Sequence, residues 1–182
     1  MNRRNFLKMG TGSCAVLSAV SISACLTGCS EAPSTDERFR LLRPKDRDFF
    51  TAIIPVVLKG SWPSDVDQQS AAMNMIMINI DNAMFNLGPH NQKQMIDLFN
   101  LLNFTPSRGL TTGVWSAWNE ASENDIEQFL NKWRDSSLGL LNLAYNGISK
   151  LIIAIWFGMP QSWAKVGYPG PPFADILITK PS

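Results

Sequence analysis

The sequence predicts an all-α fold, and three observations carry that prediction. Apolar residues recur at three- and four-residue spacing in window after window. Almost no convincing hairpin exists anywhere along the chain. Finally, the periodic windows are separated by short stretches bearing Pro, Gly, Ser or Asp, the punctuation of a bundle of five or six helices.

The first helix is read from "KDRDFFTAIIPVVLKG", which sets Phe49, Phe50, Ile53, Ile54 and Val57 on one side and stops at Lys59-Gly60. Pro55 removes one backbone hydrogen bond and is expected to end or kink it. The second helix starts at Pro63 with Ser64 or Asp65 as cap, carries Met73, Ile76, Met77, Ile80, Met84 and Leu87 on one face, and ends at Gly88-Pro89. Within it "NMIMINI" alternates like a strand, but the longer window keeps the 3.6-residue period. Its methionines suit core filling or, since the thioether is flexible, an adaptable binding face.

A third helix runs through Met95, Leu98, Phe99 and Leu102 and closes before Pro106, and "TPSRGLTTG" reads as a loop. Trp115 to Trp118 begin the next packed segment. Ser122 and Asp125 then approximate a capping box for a helix with Ile126, Phe129, Leu130 and Trp133 on one side. Beyond Asp135-Ser136-Ser137 a last long helix carries Leu140, Leu141, Ala144, Ile148, Leu151, Ile152 and Ile155. The closing stretch "WFGMPQSWAKVGYPGPP" is too rich in Pro and Gly for one regular element and too aromatic for an ordinary loop. Trp156 and Phe157 are expected in the core, while Trp163 and the run from Gly167 to Pro172 fit either core packing or a partner interface.

The amino terminus reads as an export signal over residues 1–28. Arg3, Arg4 and Lys8 precede an apolar stretch without a charge until Glu31. Arg3-Arg4-Asn5-Phe6-Leu7-Lys8 resembles the twin-arginine (Tat) motif, with Arg3, Arg4, Phe6 and Leu7 at the matching positions and Asn2 departing from it. The other reading is a general secretory signal with two incidental arginines. Leu26-Thr27-Gly28-Cys29 resembles a lipobox, which implies lipidation at Cys29; the alternative is cleavage at nearby small residues. Residues 29–42 read as a polar tether and residues 43–182 as one helical domain.

Composition excludes several function classes. Loss of Arg3, Arg4 and Lys8 leaves a slightly acidic chain, with no electrostatic reason to bind nucleic acid. The chain has one histidine, His90, and its three cysteines are Cys14 and Cys25 in the signal and Cys29. No disulfide can form within a single mature chain, and no haem, iron–sulfur or zinc ligand set is present. Neither a Gly-x-Gly-x-x-Gly fingerprint nor a Gly-x-Ser-x-Gly elbow occurs. His90 lacks a visible catalytic partner and is expected at a helix start. A route that exports folded, cofactor-loaded cargo is thus attached to a chain without an evident cofactor site, which implies that the cargo is another protein bound to it.

Trp133, Ser136, Tyr145, Trp156-Phe157-Gly158, Trp163 and Gly167-Tyr168-Pro169-Gly170-Pro171-Pro172, with the early "DFFTAIIPVVLKG", resemble the small (third) subunit family of gluconate 2-dehydrogenase and related flavin-dependent sugar and alcohol dehydrogenases. Where that family often has two tyrosines this chain has Trp156-Phe157, so no phenolic hydroxyl stands there. The resemblance implies a non-catalytic subunit that binds a large flavoprotein and carries it through the Tat translocase to the periplasm. FAD and substrate would belong to that partner, with or without a cytochrome c subunit to take the electrons. It further implies Trp163, Gly167, Tyr168, Pro169, Gly170 and Pro171 as interface residues. A competing expectation is a stand-alone periplasmic lipoprotein that binds an apolar ligand.

The lipobox reading makes a direct prediction. Replacing Cys29 by serine should release the protein from the membrane fraction with its thermal unfolding unchanged, since acyl chains supply ~0.8 kcal/mol per buried CH₂ and serine receives none. Fractionation and labelled-palmitate incorporation check it; an unlabelled wild type would mean ordinary signal cleavage.

Overall fold

In the computed structural model, which describes residues 36 and 38–170, seven α-helices succeed one another and the described residues contain no strand. They are α1 (Pro44–Val57), α2 (Val66–Phe85), α3 (Pro89–Asn103), α4 (Thr105–Thr112), α5 (Glu123–Arg134), α6 (Gly139–Gly158) and α7 (Pro160–Trp163). Short 3-10 turns lie at Trp118–Glu120 and Ala164–Val166. The all-α class holds, with more helices than the five or six expected. Arg3, Arg4, Phe6 and Leu7 of the expected signal, the expected lipidation site Cys29, and Pro171 and Pro172 lie outside the described residues.

Helix α1 is the central element, in contact with α2, α3, α5, α6 and the first 3-10 turn. Its Phe49, Phe50, Ile53 and Ile54 are fully buried, as their spacing requires. Pro55 falls in the last turn and the helix runs on to Val57, with the Leu58 N–H reaching the Ile54 carbonyl at 3.0 Å. So late a proline forfeits one hydrogen bond, and burial of Ile54 before it and Leu58 after it offsets that loss. Asp65 is the N-cap of α2, accepting from the Gln68 N–H, and Ser122 with Asp125 forms the reciprocal box that opens α5. In α2, Met77 and Met84 are core residues, Met73 is half-buried and Met75 is exposed. Leu87, expected on the buried face, lies past the helix end and is exposed.

Two parts of the sequence reading need correction. "TPSRGLTT" is helix α4, with Pro106 in its first turn and Gly113 ending it at φ 93°. Gly109, which argues for a loop, sits inside this helix because the Trp115 indole lies against it; a β-carbon there would stand 2.4 Å from the ring. A mid-helix glycine costs roughly 1 kcal/mol relative to alanine, and this contact requires it. Arg108, beside it, is buried and donates from Nε to the Val114 carbonyl and from Nη2 to that of Trp115, both at 3.2 Å. Its guanidinium lies over the Trp118 ring, and burial pushes its pKa down.

The second correction concerns the tether, whose last residues belong to the fold. Phe39 and Leu42 are buried in the core. The carboxylate of Asp81, itself buried in α2, accepts hydrogen bonds from three consecutive backbone N–H groups, those of Arg40, Leu41 and Leu42, each at 2.8 Å. Arg47 covers the Phe39 ring at 4.5 Å and donates to Asp36 at 3.0 Å. One residue set further on, the buried Asp46 accepts from the Arg43 N–H and side chain and from the Asn103 amide at 2.7 Å, which fixes the start of α1 to the end of α3.

Asp81 therefore holds the entry to the fold. Asp81→Ala strands three backbone donors, and a loss of roughly 2–4 kcal/mol is expected by chemical denaturation. Asp81→Asn should recover little, because its amide can serve two of the donors but turns an N–H₂ toward the third. A change below about 1 kcal/mol in both variants would show that this segment is not anchored there.

Candidate docking surface

The closing segment is built on the end of α6. That helix stops at Gly158, Met159 turns into the core, and Pro160 opens α7, so the predicted Gly-Met-Pro break is where it was placed. Ser162 is buried and returns a hydrogen bond to the Met159 carbonyl at 2.8 Å. Trp163 then lays its indole back, its Nε1 donating to the Phe157 carbonyl at 3.0 Å. The bond satisfies one of the carbonyls left orphaned where α6 ends.

Around Trp163 the sequence-predicted interface residues gather. Gly167 adopts φ 68°, a left-handed turn that glycine takes without strain, and the Tyr168 N–H closes on the Trp163 carbonyl at 3.0 Å. The Tyr168 ring meets the Trp163 ring edge-on at 5.2 Å. Gly170, at φ 103°, passes so close that a β-carbon would stand 3.2 Å from the indole. Trp163, Gly167, Tyr168 and Gly170 thus form one small assembly with Pro169 exposed between them, and Pro171 lies beyond the described residues. Neither Trp163 nor Tyr168 belongs to the core cluster; Trp163 is half-buried and Tyr168 is 42% exposed.

The pair Trp156-Phe157 divides. Trp156 is in the core as expected, its ring 5.8 Å from that of Trp62. Phe157 is 40% exposed, contrary to expectation, because the next residue along a helix is rotated by about 100° away from a buried neighbour. Leu140 is likewise corrected: expected on the buried face of α6, it is 76% exposed. Helix α6 carries one charge, Lys150, and its other polar residues, Asn142, Asn146 and Ser149, mark only one flank, so spacing alone does not say which apolar stripe is covered. Leu140, Leu143, Ile153 and Phe157 are all exposed, a feature that the sequence reading missed. The signal available was that single charge in twenty residues.

Beside this segment lies a cleft of about 660 Å³ between the α1–α2 connection, the start of α2 and the chain after α6, lined among others by Pro63, Gln68, Ala72, Trp156 and Lys165. Lys165 crosses to donate to the Trp62 carbonyl at 2.9 Å. The buried Trp156 N–H has no protein acceptor. His90 is exposed in the first turn of α3, 3.0 Å from the Gln94 amide. Among the described residues no three His, Cys, Asp or Glu side chains stand close enough to hold a metal ion. Known protein families, characterised proteins and solved structures offer no match to this chain.

An assembly outside the core should be removable. Trp163→Ala and Tyr168→Ala are expected to change the stability of the chain by no more than about 1 kcal/mol, whereas Ile152→Ala, fully buried in α6, should cost ~2–5 kcal/mol. Thermal unfolding of the three variants decides; aromatic variants as unstable as Ile152→Ala would make the segment part of the core.

Proposed function

We propose that this chain is the non-catalytic small subunit of a periplasmic flavin-dependent dehydrogenase, binding its flavoprotein partner in the cytoplasm and carrying it through the Tat route. The observation that carries the reading is that the segment bearing the resemblance, Trp163 with Gly167 to Gly170, lies off the core cluster, with the Tyr168 ring exposed and the Trp163 ring half-buried beside it. Two left-handed glycines and the Trp163–Phe157 hydrogen bond pre-order it, so little further entropy is lost when a partner covers it. Tryptophan and tyrosine are the residue types most enriched at the energetic centres of interfaces. The twin-arginine motif on a chain without an evident cofactor site supports the same reading, with FAD placed in the partner. Trp163 and Tyr168 are the proposed anchors, Gly167, Pro169 and Gly170 shape the backbone around them, and Pro171 is the further residue expected at the interface.

The second reading, a lipoprotein that binds an apolar ligand, is favoured by the cleft next to Trp156, whose indole N–H awaits an acceptor. It leaves the twin-arginine motif unexplained. A signal-less flavoprotein encoded beside this chain separates the two.

Export supplies the functional test. Arg3→Lys with Arg4→Lys keeps the charge but removes the planar guanidinium fork, so both this chain and the flavoprotein should remain in the cytoplasm. Dehydrogenase activity in the periplasmic fraction of such cells would contradict the carrier role.

A further inference from the structure

We propose that the outer face of α6 is a two-fold interface on which a second copy of this chain docks antiparallel. The proposal rests on α6 alone and stands or falls apart from the accessory-subunit reading. Ile148, Ile152 and Trp156 turn inward to the bundle. On the opposite side Leu140, Leu143, Gly147, Lys150, Ala154 and Phe157 follow one another at alternating three- and four-residue steps, and all six are exposed. That is the spacing of a helix–helix seam.

Antiparallel pairing about an axis between Ile148 and Ser149 sets Leu140 against Phe157 of the second copy, Leu143 against Ala154, and Gly147 against Lys150. In the four inner layers, two pairs each repeated by the axis, a large side chain meets a small one. Leu143 fills the space that Ala154 leaves, and the Lys150 stem lies over Gly147 while its ammonium reaches the water. The large pair closes each end of the seam. A parallel pairing would instead put Gly147 on Gly147 and leave a gap beside two facing lysines. The sizes along the stripe therefore favour one orientation, and a two-fold axis uses the same stripe twice.

Charge points the same way. No carboxylate occurs between Gly139 and Gly158, so nothing on this face repels its own copy except Lys150, offset from its mate across the axis. From Leu140 to Phe157 the stripe is about 26 Å long. Two such helices cover on the order of 1,000 Å² in total, near the lower bound for specific association. A reversible dimer is the consequence, and the aromatic segment around Trp163 and Tyr168 stays outside the seam.

The test uses the full chain with its three cysteines changed to serine. Leu143→Cys with Ala154→Cys, oxidised by diamide, should give a covalent dimer on a non-reducing gel, since the two positions face each other across the seam. Leu143→Cys alone should stay monomeric: residues 143 of the two copies are offset by eleven residues, about 16 Å, well beyond the reach of a disulfide. In sedimentation equilibrium Leu143→Glu should weaken self-association at least tenfold, and Lys150→Leu should strengthen it. Circular dichroism confirms that these exposed substitutions leave the helices intact. A chain that is monomeric at every concentration, or single-cysteine cross-linking as efficient as the pair, would overturn the proposal.

Discussion

The ring of Phe49 is the point on which the bundle depends. It meets Trp118 at 4.9 Å, Phe50 at 5.3 Å, Phe99 at 6.2 Å and Phe129 at 6.5 Å, so one side chain of α1 touches rings from α3, the first 3-10 turn and α5. Each such pair adds roughly 0.5–1.5 kcal/mol beyond the area it buries. The arrangement answers a constraint set by composition. Among the described residues there is no cysteine and no group of three metal-ligating side chains, so packing and hydrogen bonds hold the short helices together, and large rings bury the most area per residue.

Polar groups then choose one arrangement from the many that apolar packing allows. Asp81 fixes where the chain enters, Asp46 fixes the start of α1 against α3, and two indoles act as pins between elements. The Trp118 N–H donates to the Leu102 carbonyl at 3.1 Å, and the Trp133 N–H to the Thr111 carbonyl at 3.0 Å. Both bonds satisfy carbonyls near helix ends, where the intrahelical ladder leaves acceptors over. Arg108 does the same for Val114 and Trp115. A tryptophan placed this way is at once a core ring and a cap.

What could be read in the sequence was whatever is settled within one or two turns. The faces of α1 and α5, the Ser122–Asp125 box, the Asp65 cap and the Gly-Met-Pro break all depend on neighbours a few residues away. The misses depend on distant partners. Phe39 and Leu42 look like tether until Asp81, some forty residues on, is brought to the backbone N–H groups of Arg40, Leu41 and Leu42. Gly109 looks like a loop residue until the Trp115 ring is seen against it. Leu140 and Phe157 were misplaced because α6 is apolar over most of its circumference, with one charge in twenty residues, and periodicity has little contrast to work with there. The Trp163 assembly was half legible: Gly and Pro announced a turn, but the closing hydrogen bond to Phe157 is a tertiary fact.

The same division runs through function. On the proposed reading, the rings of this chain that lie beyond the core are the ones a partner covers. The most direct measurement is to isolate the tagged protein from its producing cells under mild conditions and record mass spectra and flavin absorbance of what comes with it. The account predicts one large chain without an export signal of its own, flavin stoichiometric with that chain, and none left on the small chain after separation. A small chain recovered alone, or one that keeps the flavin itself, would contradict it.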